Sequence, residues 1–432
     1  MVPQGKRMTK SKMLAVLVIL ISGVFLAQRG GGQASAQELL DAVRAGDVAG
    51  VKALVEKNPK IVNEPNRNGA TILFAAVGYR RLEIAEYLIS KGADVNVRNN
   101  FQTTPLHLAC GNGLPAEFIK LLTEKGADVN AVAKYSGTPL DLALDARDTT
   151  VIDFLKSKGA RSTPLEFETF RLADGVRRIA YPWGMRNNIV VFSGPDGILL
   201  VDTGFSRHAV DALRRTIAGL AKGKIRYVIN THPHGDHVDG NGVAPAGAAV
   251  INATVLESPD LKDRISRGDR PLRGGAGREL ATPFIMRFNG EDIQIVPNPG
   301  LHSPTDILVY FPKSKVVCMG DLLLSQNCPA VQDVAGYMDF IDKVLDVFPP
   351  GTTFVSGHGK DLTMDGLVKY RDDLAAMIAV VRKNYAAGRS AEEMLRDDVL
   401  KDYKAAYSFL DWIGPDSWLE RVCQALQSGT LR

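Results

Sequence analysis

The chain has 432 residues, 45% of them hydrophobic and 23% charged, so it can bury more than one core and is too apolar to be disordered. Its formal charge of +4 sits at the N-terminus: residues 1–36 hold Lys6, Arg7, Lys10, Lys12 and Arg29 and no acid, and removing these five charges takes +4 to −1. A body so close to neutral excludes a global electrostatic attraction to nucleic acid.

Residues 1–36 read as an export signal. A basic stretch precedes an uncharged apolar run from Met13 to Ala27, and Ala34-Ser35-Ala36 offers small residues for cleavage. The run is short beside the roughly twenty residues of a spanning helix. The mature protein is therefore expected to be soluble and exported, periplasmic or secreted, with no integral membrane segment after cleavage. The alternative is an uncleaved anchor with Gly30-Gly31-Gly32 as its spacer.

Residues 37–161 repeat themselves. Thr71-Ile72-Leu73-Phe74-Ala75-Ala76, Thr104-Pro105-Leu106-His107-Leu108-Ala109 and Thr138-Pro139-Leu140-Asp141-Leu142-Ala143 start 33 and 34 residues apart, and Gly92-Ala93-Asp94-Val95-Asn96 returns as Gly126-Ala127-Asp128-Val129-Asn130. This period and helix start resemble the ankyrin repeat, whose helix pairs each bury one apolar stripe only against a stacked neighbour. Three repeats are recognisable, with an imperfect unit from Gln37 to Asn63 before them and a truncated end near Lys158-Gly159-Ala160. His107 reads as a hydrogen-bonding residue that ties one repeat to the next. The resemblance implies a possible protein partner for the repeats.

After a linker at residues 162–165, residues 166–432 change to strands and turns. Asn188–Phe192 and Ile198–Val201 read as a hairpin, Arg207–Ala221 as a helix, and Lys224–Ile229 as a buried strand. Further strands are expected at 249–251, 293–296, 307–311, 316–319 and 353–355, and helices from about Asp361, one of them opened by the capping box Ser390-Ala391-Glu392-Glu393. Strands alternating with helices, with reactive residues at strand ends, imply layered α/β packing. The four cysteines have neither a disulfide framework nor CxxC spacing and read as small buried hydrophobes.

Five of the seven histidines fall where a two-metal site would need them. The run Thr231-His232-Pro233-His234-Gly235-Asp236-His237 holds four ligand-type side chains, and His302, Asp321 and His358 each follow an apolar run or a glycine turn. His232 and His234, two apart, can converge on one ion, with His302 completing its set. Asp236 and His237 can face a second ion with His358, and a carboxylate such as Asp321 suits the bridge between ions about 3.5–4 Å apart. Imidazoles and carboxylates without a thiolate suit two zinc ions, with iron or manganese as alternatives. Water on such an ion is acidified to a pKa near 7. The expected reaction is attack of that hydroxide on an electrophilic carbon or phosphorus, with Asp236 as the catalytic group passing a proton to the leaving group.

The order of these residues resembles the metallo-β-lactamase superfamily, over about residues 166–432, and Leu200-Val201-Asp202-Thr203-Gly204 matches that family's early strand-end motif. The resemblance implies an α/β fold of αββα sandwich type with the site at one edge, and a supporting role without metal ligation for Asp202. Zinc β-lactamases of that family carry Cys or Ser where Asp321 stands, so Asp321 points toward thioester hydrolases and lactonases. His234 stands where the oxygen-reducing diiron members have glutamate, which disfavours redox chemistry. The expected function is an exported binuclear hydrolase of an ester, thioester, lactone or β-lactam carbonyl in a small-molecule substrate. The alternatives are a phosphodiesterase, or a partner-binding scaffold with a vestigial hydrolase domain.

Two segments are candidates for substrate contact. Trp183 and Met185 are expected as an apolar wall, or as packing at the domain edge. Arg270 and Arg273, in a glycine-rich loop from Arg264 to Arg278, are expected either to clamp an anionic group or to form a solvated surface loop.

Overall fold

The computed structural model describes residues 33–66, 68–181, 185–204, 209–298, 300–410 and 413–431. Most of the expected export signal, together with Trp183 and His208, lies outside the described residues. The chain divides into two compact units, Met1–Pro164 and Leu165–Arg432. Among the described residues no helix is long and apolar enough to cross a membrane.

The first unit is built from four helix pairs among the described residues: α1 (Gln33–Ala45) with α2 (Val48–Lys57), α3 (Ile72–Gly78) with α4 (Leu82–Ser90), α5 (Pro105–Gly111) with α6 (Ala116–Glu124), and α7 (Pro139–Ala146) with α8 (Thr149–Ser157). One apolar core runs through all of them, from Leu39 and Val43 to Val151 and Leu155. The recurring Gly-Ala-Asp-Val-Asn motif has a mechanical meaning. Asn96 donates to the Gly126 carbonyl at 2.9 Å and accepts from the Asp128 amide at 2.8 Å, so each asparagine grips the next unit. Asn63 does the same at Gly92 and Asp94, and Asn130 at Gly159 and Arg161.

His107 links units through its ring. Its Nδ1 accepts from the Thr104 amide at 3.2 Å, completing the capping box of α5, while Nε2 lies 3.0 Å from the Gly137 carbonyl of the following repeat. Burial pushes its pKa down to about 4, against the partial support of the Gly137 carbonyl. The unfolded chain, with a pKa near 6.5, thus binds a proton between about pH 6.5 and 4 that the folded chain does not. The stability of the repeats is expected to be full above pH 6.5 and to fall by up to about 3 kcal/mol as pH drops to 4. Melts of the full chain across that range should show the slope in the wild type and a flatter one in His107→Asn.

The second unit is a sandwich of two six-stranded sheets. One runs β1 (Glu168–Ala173), β2 (Val176–Ala180), β3 (Asn188–Gly194), β4 (Gly197–Val201), β5 (Ile225–Ile229), β6 (Ala249–Ile251) in that order. The other is ordered β14 (Thr353–Val355), β13 (Val316–Cys318), β12 (Ile307–Phe311), β11 (Glu291–Pro297), β10 (Phe284–Phe288), β7 (Ser266–Arg267). A separate small ladder joins β8 (Leu272–Arg273) to β9 (Glu279–Leu280).

The two-residue alternation of a strand decides which core each side chain enters. Val190, Phe192, Leu199, Val201 and Ile229 meet Ile293, Ile295, Val309 and Phe311 between the sheets. The alternate positions of the first sheet, Ile189, Val191, Leu200 and Val228, pack under Leu213 and Ile217 of α9 (Val210–Leu220). Val296, Leu308, Tyr310 and Val317 of the second sheet face the helices α11 (Val334–Val347), α12 (Met364–Ala386) and α15 (Pro415–Gln427). The result is the αββα layering that the resemblance implied. A hydrogen bond from Ile307 N to Thr231 O, 2.9 Å, joins the two sheets beside the histidine run. All four cysteines are buried free thiols.

Candidate metal centre

Every candidate ligand follows the C-terminal end of a strand. The chain leaves β5 at Ile229, runs through Asn230 to His234, and turns into the short helix α10 (Gly235–Val238), which carries Asp236 and His237. His302 follows β11, Asp321 follows β13 and His358 follows β14. Close approach demands glycine on both sides of Asp321. A Cβ on Gly357 would collide with the Asp321 carboxylate, and one on Gly320, whose φ is +52°, would sit 2.5 Å from Thr231 Oγ1.

The side chains converge as two groups, His232, His234, His302 and Asp321, and Asp236, His237, Asp321 and His358, each with one donor atom per residue and all donors within 4.8 Å. In the first group His232 Nε2 and His302 Nε2 each lie 3.0 Å from His234 Nδ1, and Asp321 Oδ2 is 3.4 Å from His302 Nε2 and 3.7 Å from His232 Nε2. In the second, Asp321 Oδ1 is 3.2 Å from both His237 Nε2 and His358 Nε2, and Asp236 Oδ2 is 3.2 Å from His358 Nε2 and 3.5 Å from His237 Nε2. Asp321 therefore offers one oxygen to each group.

The far side of each ring fixes its tautomer, because a carbonyl or carboxylate partner can only accept. His237 Nδ1 donates to Asp202 Oδ2 at 2.8 Å, His302 Nδ1 to the Ala330 carbonyl at 3.1 Å, and His358 Nδ1 to the Met185 carbonyl at 2.9 Å. In the neutral rings all three Nε2 lone pairs then point inward. Two of the converging atoms, His237 Nε2 and Asp321 Oδ1, are buried with no hydrogen-bond partner. Buried polar atoms are rarely left so, and a divalent cation satisfies them. The donor set fits two such ions.

Electrostatics at the centre follow from this crowding. Burial drives His232 well below its ordinary pKa, with the neighbouring His237 adding to the shift. Burial opposes charge on His237 and His358 too, but Asp321 and Asp236 outweigh it, holding His237 well above the usual range and His358 at about 10. Burial likewise opposes ionisation of Asp236 and Asp321, and the imidazoles of His237 and His358 overcome it, holding both carboxyls well below the usual range.

Asp202 sits beneath this centre rather than in it. Its backbone is left-handed, with φ 59°, a conformation uncommon outside glycine. Its carboxylate accepts from the Thr231 amide, the Thr231 hydroxyl and His237 Nδ1, each at 2.8 Å. It thereby fixes both ends of the histidine run.

The substrate candidates divide. Met185 contributes through its main chain, as the acceptor for His358, a role with no signature in side-chain chemistry. Arg273 is exposed and paired with Glu279 at 2.5 Å, Arg278 pairs with Asp342 at 2.9 Å, and Arg270 is exposed. The segment from Arg264 to Arg278 is no open arginine loop: it holds β7 and β8, and Asp346 caps its glycine turn through the amides of Ala276 and Arg278. Among the described residues no hydrogen bond or ion pair links Arg270 or Arg273 to either donor group.

Sequence reasoning missed the residues that brace the ligands. Asn187, 1% exposed, donates from Nδ2 to Asp236 Oδ2 at 3.2 Å. Asn188 donates to the carbonyls of Ser356 and Gly359 and accepts from Arg178, which pairs with Asp361 at 2.9 Å. Asp306 accepts from the amides of His302 and Ser303, at 3.0 and 2.8 Å. The adjacent Asn187-Asn188 pair, shortly after Trp183 and Met185 in the chain, was the one available signal.

Two packed sheets under helices, with a paired imidazole–carboxylate centre at their strand ends, define a hydrolase domain of the metallo-β-lactamase fold. Comparison with known proteins agrees. Residues 181–380 match the metallo-beta-lactamase superfamily, and residues 32–99 and 88–143 match models of ankyrin repeats. The chain is 23% identical over 163 residues to a beta-lactamase-like protein 2 homolog of Caenorhabditis elegans, covering 37% of this chain and 52% of that protein. It is 31% identical over 162 residues to the lactamase-like protein vrtG of Penicillium aethiopicum, covering 35% and 45%. The repeats are 36% identical over 86 residues to the E3 ubiquitin-protein ligase XBAT32 of Arabidopsis thaliana, covering 19% and 16%. The chain thus spans about half the length of the lactamase-like relatives, and far less of the ankyrin-bearing one. It carries a metallo-β-lactamase superfamily domain at residues 181–380, preceded by ankyrin repeats.

Proposed function

We propose that the chain is an exported binuclear metal-dependent hydrolase of a carbonyl substrate: an ester, thioester, lactone or β-lactam. The observation that carries this reading is Asp321, whose Oδ2 belongs to a three-histidine group and whose Oδ1 belongs to a second group of two histidines and an aspartate. His232, His234 and His302 would hold one ion, Asp236, His237 and His358 the other. Zinc suits the set best, with iron or manganese as alternatives. Bound there, such ions supply Lewis acidity toward a carbonyl oxygen and an acidified water.

The protein's own groups do the rest. Asp202, Ala330 O and Met185 O keep the imidazoles oriented before substrate arrives, so no reorganisation is needed during reaction. All the polar contacts of the Asp236 carboxylate among the described residues fall on Oδ2, which leaves Oδ1 to take up a proton and pass it to the leaving group. His237 and His358 keep that carboxyl ionised, so it enters the reaction as a proton acceptor.

Export rests on the basic, apolar and small-residue pattern of residues 1–36. The ankyrin repeats supply a surface of the kind that binds protein partners, and a partner there is part of the proposal.

The test is metal content and turnover of the purified protein on β-lactam, lactone, thioester and phosphodiester substrates. Near two metals per chain with chelator-sensitive cleavage of one carbonyl class is the expected result. Cleavage of phosphodiesters alone would overturn the carbonyl assignment, and absence of both metal and turnover would overturn the hydrolase reading.

A further inference from the structure

The match to the metallo-beta-lactamase superfamily ends at residue 380, yet the chain folds on through α13 (Ala391–Arg396), α14 (Lys401–Tyr407) and α15. This later segment grips the loop that follows Asp321. Ser408 bridges to Asn327, and the Phe409 amide donates to the Gln326 carbonyl at 3.2 Å. The Leu410 amide donates to Asn327 Oδ1 at 2.6 Å, and the Cys328 amide to the Ile413 carbonyl at 3.0 Å. Arg421, on α15, donates from Nη1 to the Pro329 carbonyl at 2.9 Å. The next carbonyl, Ala330 O, is the one that receives His302 Nδ1.

We propose that residues 408–410 and 413–421 are a positioning element of the first metal group. They fix the 326–330 loop, the loop sets the Ala330 carbonyl, and the carbonyl aims His302, with Asn327 and Arg421 as the positioning residues. Two further features favour a dedicated contact over incidental packing. Asn327 is 0% exposed, and its side chain caps a main-chain amide 83 residues away. No carboxylate among the described residues pairs with the Arg421 guanidinium, whose side-chain hydrogen bond goes to the loop. A buried or half-buried arginine committed to a carbonyl holds that backbone in one register. Among the described residues no hydrogen bond from this segment reaches the far side of His237, which Asp202 braces.

This inference rests on the two-ion reading, and the experiment separates them. The full chain, stripped with chelator, is titrated with Zn(II) alone, and thermal melts confirm that each variant folds. The wild type should fill in two steps. Arg421→Met should weaken one step by about tenfold, the size expected when the outer partner of a ligating histidine is disturbed. His302→Ala should weaken the same step, and adding Arg421→Met to it should cost nothing more, because the arginine acts through that ring. Asn327→Asp, which keeps an acceptor for the Leu410 amide, should retain more of the affinity than Asn327→Ala. Equal weakening of both steps, full additivity with His302→Ala, or no effect of Arg421→Met would overturn the inference while leaving the two ions in place. A wild type that takes up no Zn(II), nor Fe(II) or Mn(II) when each is titrated in its place, would overturn the two-ion reading, and this inference with it.

Discussion

Asp321→Asn is expected to cut turnover roughly a thousandfold and to lower the metal content from near two per chain to one or less. Asparagine keeps the shape but removes the charge, and its single oxygen cannot serve both groups. The wild-type carboxylate places Oδ1 3.2 Å from the second group's His237 and Oδ2 3.4 Å from the first group's His302. It also balances the buried imidazoles, so its loss leaves Asp236 as the carboxylate facing His358, and Asp236 and Asp202 as those facing His237. Metal analysis beside a rate measurement on one substrate checks both halves. Full metal content with a thousandfold slower rate would assign Asp321 to the chemistry and remove it from the bridge.

The second large effect is expected at Asp202, which touches no reacting atom. Asp202→Ala strands the Thr231 amide, the Thr231 hydroxyl and His237 Nδ1, all buried. Breaking one side of such a buried charged network costs about 3–5 kcal/mol. Chelator-treated protein should show that loss in denaturant melts. Zn(II) affinity should fall by about 10- to 100-fold as His237 loses its brace. Asp202→Asn keeps an acceptor for the Thr231 amide and should fall between the two. An alanine variant with wild-type stability and zinc affinity would reduce Asp202 to an ordinary turn acid.

The parts legible in the sequence share one property: they are local. The 33-residue and 34-residue spacings announce the repeats because each repeat is one turn-and-helix unit copied in place. His232, His234, Asp236 and His237 announce themselves because four ligand-type side chains in one short run have no other common purpose. Hidden parts depend on where distant segments meet. Asp306 and Asn188 are ordinary polar residues until the fold sets them beside His302 and His358. Met185 and Ala330 act through carbonyls, which every residue has. The hairpin β1–β2 was missed because β1 is exposed along most of its length and shows no alternation. The arginines from Arg264 to Arg278 leave an anion clamp and a solvated surface loop both open in the sequence, because a sequence does not show that Glu279, Asp342 and Asp346 lie close enough to engage Arg273 and Arg278 or cap their turn.

The two donor groups draw equally on the two sheets. His232, His234, Asp236 and His237 leave the first sheet, whereas His302, Asp321 and His358 leave the second. Neither sheet alone offers more than two ligands to the first group, or more than two to the second. An ion in either place is therefore a rivet through the sandwich, drawn tight only after the layers have closed. Free ion a hundredfold above its dissociation constant would add about 2.7 kcal/mol to the closed state for each rivet. Metal supply in the compartment where the chain folds would then set how stable the closed sandwich is, as well as whether it can react.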